Sequence, residues 1–231
     1  MRIFINGEFF SSMLCTPRDM TELTIGWLFN QGMIESMKDI ASLGACEDMT
    51  DVQVHLVNGK HKENGRNEVI RTSACMGGEI SYAQFFKDRP KLSEGPAISI
   101  GVLKSLMKET LSMAHGYKRT GGIHCAAMAS AAEGRIVACF EDVGRHNAVD
   151  KVTGRMLLAK MNPGDAILLT SGRISSEMAL KAAHSGIPIV GSITTCTDLA
   201  LRIAEETGLT IAGRILSTKP VVWSGQRRIV V

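Results

Sequence analysis

Short apolar strands that alternate with amphipathic helices fill the second half of this chain and constrain its fold more than any other feature. From residue 98 onward the pattern predicts helices at 98–114, 147–161, 175–185 and 198–207. Between them it predicts strands at 124–132, 136–140, 166–170, 187–193 and 209–215. Alternation of this kind is typical of a layered α/β domain in which helices cover a mostly parallel sheet.

The first part of the chain has a different pattern and predicts a smaller unit. Strands at 2–5 and 9–14 flank an Asn6-Gly7 hairpin turn, and the segment 52–57 alternates like a half-buried strand. Pro17, within Thr16-Pro17-Arg18-Asp19, predicts the first position of a helix. We therefore expect a small α+β domain at 1–70, a connector with an exposed loop at 71–97, and the α/β domain at 98–231.

Composition excludes several classes of protein. A net charge of +3, with two Trp and two Tyr, gives neither a basic stripe nor a stacking platform, so we expect no nucleic-acid partner. The apolar stretches are only strand length, and the first residues turn polar too soon for a signal peptide. The sequence predicts a cytoplasmic protein with no membrane span.

The six cysteines have no paired spacing and no Cys-x-x-Cys occurs, which favours free thiols and argues against a zinc site. They are Cys15, Cys46, Cys75, Cys125, Cys139 and Cys196. Cys75 has the most reactive context, because Arg71 precedes it and Gly77-Gly78 follow it in a predicted loop. A nearby cation and access to solvent favour the thiolate, which is the nucleophilic form.

Polar clusters follow three successive strands, and each cluster precedes a helix. They are 141–146, 171–173 and 194–197, and the first two contain Arg145 and Arg173. Carboxyl ends of parallel strands share one edge of a sheet, so helix amino ends and arginines would meet there and favour a phosphate-bearing ligand. For each turn taken alone, the polar residues also fit ordinary helix capping. A lone histidine such as His124, at the start of a strand, is more often structural than functional.

Stretches along almost the whole chain carry a resemblance to a known family. They are Asn6-Gly7-Glu8, Thr16-Pro17-Arg18-Asp19, Arg71-Thr72-Ser73 before Cys75, Thr120-Gly121-Gly122-Ile123-His124, Glu141-Asp142-Val143-Gly144-Arg145-His146-Asn147-Ala148, Asp150-Lys151, and Ser171-Gly172-Arg173 with Ser176-Glu177-Met178. With these motifs the sequence resembles the FdhD/NarQ family of formate dehydrogenase accessory sulfurtransferases. The resemblance implies a cytidine-deaminase-like α/β fold and a homodimer.

The resemblance also implies a function as a sulfur carrier. Cys75 would accept sulfur as a persulfide from a cysteine desulfurase and pass it to molybdenum in a bis(molybdopterin guanine dinucleotide) cofactor, the client that formate dehydrogenase needs. We expect Glu141 and Asp142 to orient the basic groups of the cofactor surface. The residues expected to bind the cofactor are Arg145, His146, Ser171, Arg173, Arg214, Ile215, Leu216, Ser217, Thr218 and Lys219.

One departure from the family pattern leaves a second function open. Members usually carry Cys-x-x-Cys in the loop, whereas Gly78 stands here in place of the second cysteine. The alternative is a non-catalytic chaperone that binds the molybdenum cofactor with impaired transfer. A third hypothesis, from the residues alone, is a cysteine hydrolase that uses Cys75, His146 and Asp142.

Overall fold

The computed structural model of the protein describes residues 1–46, 50–57, 91, 92 and 94–230. Cys75 and the predicted loop around it lie outside the described residues, and the predicted domain boundaries stay a prediction. No helix in the described ranges is both long enough and apolar enough to cross a membrane.

A six-stranded mixed sheet forms the centre of the larger unit, in the order β11-β10-β9-β8-β6-β7. Its strands are β6 (His124–Ser130), β7 (Arg135–Asp142), β8 (Ala166–Thr170), β9 (Ile189–Ser192), β10 (Thr210–Gly213) and β11 (Val221–Ser224). The β8–β9 and β9–β10 pairings are parallel, whereas the other three are antiparallel. The expectation of a mostly parallel sheet is therefore wrong at the pairings of β6 and β11. β6 and β7 are joined by a short turn, and parallel neighbours would need a crossover connection.

Helices cover both faces of this sheet. α2 (Ile100–Met113) packs on the face that carries Ala127 and Ala129, and α3 (His115–Thr120) follows it directly. The opposite face, with Ala126 and Met128, is covered by α4 (Arg145–Leu158), α5 (Ser176–His184) and α6 (Asp198–Thr207). The α/β class is confirmed, because alternate residues of each strand bury against helices on opposite sides. The cytidine-deaminase-like arrangement stays a prediction.

The smaller unit is a four-stranded sheet, in the order β2-β1-β4-β3, packed against one helix. Its elements are β1 (Arg2–Ile5), β2 (Glu8–Ser12), α1 (Met20–Asn30), β3 (Ile40–Ala45) and β4 (Asp51–Leu56). α1 begins at Met20, so the expected start at Pro17 is wrong. Asp19 has a left-handed φ of 54°, which a helix cannot continue through.

The first residues of the helix predicted at 98–114 form a strand instead. β5 (Ile98–Ser99) pairs in parallel with β12 (Ile229–Val230) and ties the C-terminal segment to the start of the larger unit. Ser99 then caps α2, because its Oγ accepts the backbone N–H of Val102 at 3.1 Å.

α1 and α4 hold the two units together by crossing at glycines. A Cβ atom added to Gly26 would lie 1.8 Å from the carbonyl oxygen of Asp150, and one added to Gly154 would lie 1.9 Å from that of Glu22. Beside this crossing, Asn30 Nδ2 donates to Asp150 Oδ1 at 2.7 Å. Only glycine allows the two backbones to approach this closely.

We predict that Gly26→Ala destabilises the protein by roughly 1–3 kcal/mol, because the added methyl group forces α1 and α4 apart. The loss would occur even though alanine favours a helix over glycine by about 1 kcal/mol. The measurement is the free energy of unfolding in urea. Gly44→Ala is the control, since a Cβ atom there meets nothing within 4 Å. Equal stability of Gly26→Ala and wild type would contradict the tight crossing.

Candidate functional site

The polar turns at the carboxyl ends of the strands lie side by side, so this part of the prediction is confirmed. Ile174 N donates to Thr195 O at 3.0 Å, and Thr197 N donates to Ile174 O at 3.0 Å. The next turn joins them, because Arg214 N donates to Thr194 O at 2.7 Å. We call this edge, residues 143–146, 171–175, 194–197 and 214–219, the strand-end surface.

Two predicted arginines are available for binding on this surface. Arg145 opens α4, and its side chain lies against Gly172, where an added Cβ atom would be 3.1 Å from Arg145 Cβ. Its Nε is buried and has no hydrogen-bond partner among the residues that the structure describes. Arg173 is exposed and forms no ion pair with any described residue. Among the described residues, neither guanidinium group would have to leave a carboxylate in order to bind an anion.

His146 faces a carboxylate that sequence reasoning missed. Its side chain is 4% exposed, and its Nε2 lies 2.8 Å from Glu177 Oε2 on α5. Burial lowers the pKa of His146, and Glu177 only partly opposes this effect. In the sequence, only its position within the Ser176-Glu177-Met178 motif indicates that Glu177 belongs to the site.

Ser171 is buried, and its hydroxyl group contacts other residues of the protein. Its Oγ accepts the backbone N–H of Cys125 at 3.0 Å and lies 3.4 Å from His124 Nδ1. Burial lowers the pKa of His124, and Arg145 and His146 lower it further through their charges. His124 therefore lies beside the strand-end surface, where Ser171 contacts its ring, and its structural role stays a prediction.

Asp142 does not orient Arg145 or His146, so its expected role is wrong. Its carboxylate lies 2.8 Å from Lys151 Nζ, and both side chains are 0% exposed. The same carboxylate accepts hydrogen bonds from Thr16 N at 3.1 Å, Gly144 N at 3.0 Å and Asn147 Nδ2 at 2.9 Å. The hydrolase hypothesis loses support, because Glu177 and not Asp142 is the carboxylate at His146.

Glu141 also differs from its expected role. Its carboxylate accepts the backbone N–H groups of Gly116 at 3.0 Å and Tyr117 at 2.6 Å, at the start of α3. Neighbouring residues of a strand point to opposite faces of the sheet, so Glu141 contacts α3 and Asp142 contacts α4.

The segment 214–219 contributes exposed side chains to the surface, with one exception. Arg214, Leu216, Thr218 and Lys219 are exposed, and Ser217 is half-buried. Ile215 is 0% exposed and packs in the core beneath α2, so its side chain does not reach the surface. Arg214 has a left-handed φ of 52°, which turns the chain sharply after β10.

Burial disfavours the nucleophilic thiolate form at four of the five described cysteines. It raises the pKa of Cys15, Cys125 and Cys196, and it raises the pKa of Cys139 to about 12. Cys46 is exposed on the smaller unit. Within the described ranges, no three His, Cys, Asp or Glu side chains are grouped to hold a metal ion.

Known proteins match this chain over almost its whole length. A sequence profile of the FdhD/NarQ family matches residues 1–230. The sulfur carrier protein FdhD of Sulfolobus acidocaldarius is 34% identical over 99% of this chain and 88% of its own length. That of Bacillus subtilis is 32% identical over 99% of this chain and 87% of its own length.

A solved structure has the same fold. It belongs to a chain described as a formate dehydrogenase accessory protein from Desulfotalea psychrophila. The two structures superpose with a TM-score of 0.80 at 27% sequence identity, over 99% of this chain and 87% of the other. Both units of the protein are therefore shared with this structure.

We predict that Lys151→Met lowers the free energy of unfolding by about 3–5 kcal/mol, because it leaves the Asp142 charge buried without its cation. Urea denaturation measures this loss. Arg135→Gln serves as the control, since the pair of Arg135 with Glu133 is exposed and its loss costs below about 1 kcal/mol. A similarly small loss in Lys151→Met would show that the buried pair is not required.

We also predict that acid weakens the fold through His146. Because burial lowers its pKa below the ordinary value of about 6.5, the unfolded chain binds this proton more readily than the folded protein. The free energy of unfolding should therefore decrease as the pH falls from about 6.5 to the pKa of His146 in the fold.

Urea midpoints measured over this range would test the acid effect. His146→Gln should give a shallower dependence on pH than wild type, whereas His55→Gln, a change on the exposed face of β4, should keep the wild-type slope. An unchanged slope in His146→Gln would rule out its contribution.

Proposed function

The chain belongs to the FdhD/NarQ family, and from this premise we propose that it carries sulfur to the molybdenum cofactor of a formate dehydrogenase. Its relatives are named sulfur carrier proteins, and the similar solved structure is that of a formate dehydrogenase accessory protein. The donor in this proposal is a cysteine desulfurase, and the working state is a homodimer. The client is the bis(molybdopterin guanine dinucleotide) cofactor.

The strand-end surface supports binding of this client. Arg145, Arg173, Arg214 and Lys219 put four cationic side chains on one edge, where α4, α5 and α6 also begin. Helix amino ends and guanidinium groups both favour the pyrophosphate of a dinucleotide. The observation that carries the proposal is the buried Nε of Arg145, which has no hydrogen-bond partner among the described residues.

Two histidines extend this surface with neutral polar groups. Burial lowers the pKa of both His124 and His146, so each favours the neutral imidazole near neutral pH. A neutral imidazole can donate one hydrogen bond and accept another, and Ser171 and Glu177 hold the two rings in place. These groups suit the polar atoms of a guanine or pterin ring.

The sulfur chemistry is assigned to Cys75. Its thiolate attacks the terminal sulfur of the desulfurase persulfide; the donor S–S bond breaks, a new S–S bond forms on Cys75, and the donor cysteine leaves as a thiolate. The terminal sulfur would then pass from Cys75 to the molybdenum of the client. The S–S bond would break with its electron pair left on Cys75 as a thiolate, and reduced molybdenum would supply the two electrons that make the neutral sulfur atom a sulfido ligand. One cysteine is enough for both steps, although Gly78 replaces the usual second cysteine.

We predict that incubation with a cysteine desulfurase and cysteine adds one sulfur atom to the Cys75 peptide, detected by mass spectrometry. Cys75→Ala should carry no such sulfur and should fail to activate formate dehydrogenase in a strain that lacks its own carrier. Cys46→Ala is the matched control, because Cys46 is the exposed thiol of the described residues. Sulfur on Cys46 together with full activation by Cys75→Ala would refute the assignment.

Binding measurements on the same variants separate transfer from the chaperone alternative. Titration with GDP, which stands for one tail of the client, should give equal affinity in wild type and Cys75→Ala. Arg145→Gln should bind at least about tenfold more weakly, because it removes a charge-assisted contact. Normal activation of formate dehydrogenase by Cys75→Ala, with binding retained, would favour a non-catalytic chaperone.

A further inference from the structure

A second cleft lies on the outer edge of the main sheet, along β7. It runs beside residues 139–141, between α3 and the segment 16–19 of the smaller unit. Two adjoining cavities of about 320 and 530 Å³ form it, and they share Arg18, Gly116, Arg119 and Glu141. These volumes fall within the range of pockets that bind small molecules.

Two guanidinium groups line this cleft from different elements. Arg18 comes from the smaller unit, Arg119 comes from α3, and neither forms an ion pair with any residue that the structure describes. The inner carboxylate, Glu141, already accepts the N–H groups of Gly116 and Tyr117. Both guanidinium groups therefore remain available to an anion.

The backbone that carries Arg18 is fixed by the larger unit. Thr16 N donates to Asp142 Oδ2 at 3.1 Å, and Val143 N donates to Thr16 Oγ1 at 3.1 Å. Arg18 N donates a hydrogen bond to Thr16 O at 2.7 Å, which closes the turn. A clamped turn lowers the entropy cost of binding, because little of the backbone must be ordered when the ligand arrives.

The wider cavity adds an apolar lining to these charges. Met113, Ile123 and Phe140 contribute to its wall, next to the two arginines. The cleft therefore combines an apolar surface with a small number of charged groups, as pockets for small ligands do.

We propose that this cleft binds a small phosphate ester with an apolar body, at a site separate from the strand-end surface. A phosphate carries close to two negative charges at neutral pH and accepts bidentate hydrogen bonds from guanidinium groups. A phosphate offers two charges to the two arginines, whereas a carboxylate offers one. Glu141 in the wall of the cleft also carries a negative charge, which partly offsets the arginines. Asp19 at the rim opposes the anion, so its charge weakens binding.

Phenyl phosphate is a suitable probe, with isothermal titration for affinity and the methyl resonances of Ile123 for location. We expect it to bind more tightly than inorganic phosphate or benzoate, and to shift the Ile123 resonances. Arg18→Gln and Arg119→Gln should each weaken binding by at least about tenfold, because each removes a charge-assisted contact. Arg202→Gln, at an exposed arginine on α6, is the control with unchanged affinity.

Asp19→Asn distinguishes loss of the site from misfolding, because the proposal predicts that this variant binds phenyl phosphate more tightly than wild type. Asparagine tolerates the left-handed backbone of this position, and removal of the charge should strengthen binding roughly two- to fivefold. The proposal is overturned if phenyl phosphate leaves Ile123 unshifted, if benzoate binds more tightly, or if both arginine variants keep the wild-type affinity.

Discussion

The buried ion pair of Asp142 and Lys151 is the interaction on which the arrangement of this protein depends. Its carboxylate and ammonium groups are 2.8 Å apart and fully buried. The same two groups reach the smaller unit, because Asp142 accepts the N–H of Thr16 and Lys151 Nζ lies 3.5 Å from Thr16 O. A buried pair adds little net stability over apolar packing, but its disruption is costly, and we infer that it selects one docking of the two units.

A second buried pair begins at the neighbouring residue of α4, Asp150, and reaches α5. Asp150 and Lys181 lie 2.6 Å apart with 1% exposure each, and Asn30 of α1 donates to the same carboxylate. The glycine crossing of α1 and α4 lies next to this pair, since Gly26 approaches the carbonyl oxygen of Asp150. Close backbone contact and satisfied buried charges therefore act at one interface, where each requires the other's geometry.

This interface explains why the run 141–151 carries so many polar residues. Asp142, Asn147 and Lys151 face inward and hold the smaller unit, whereas Arg145 and His146 belong to the strand-end surface. The same clamp fixes Thr16 and so places Arg18 over the second cleft. One short motif thus contributes Arg145 and His146 to the strand-end surface and positions Arg18 of the second cleft through Asp142 and Thr16.

The sequence by itself determined the α/β class, the positions of most helices and strands, the family, and the shared edge of the polar turns, because local periodicity and motif spacing report these features. Tertiary structure alone decided the antiparallel placement of β6, the separate roles of Glu141 and Asp142, and the contacts of His124 and Glu177. The groups that meet at a buried carboxylate come from distant parts of the chain, since Asp142 binds both Lys151 and the N–H of Thr16, which is more than a hundred positions away. Local sequence patterns contain no information about such partners. A charged residue that binds a ligand and one that forms a buried contact between two helices have the same local sequence pattern.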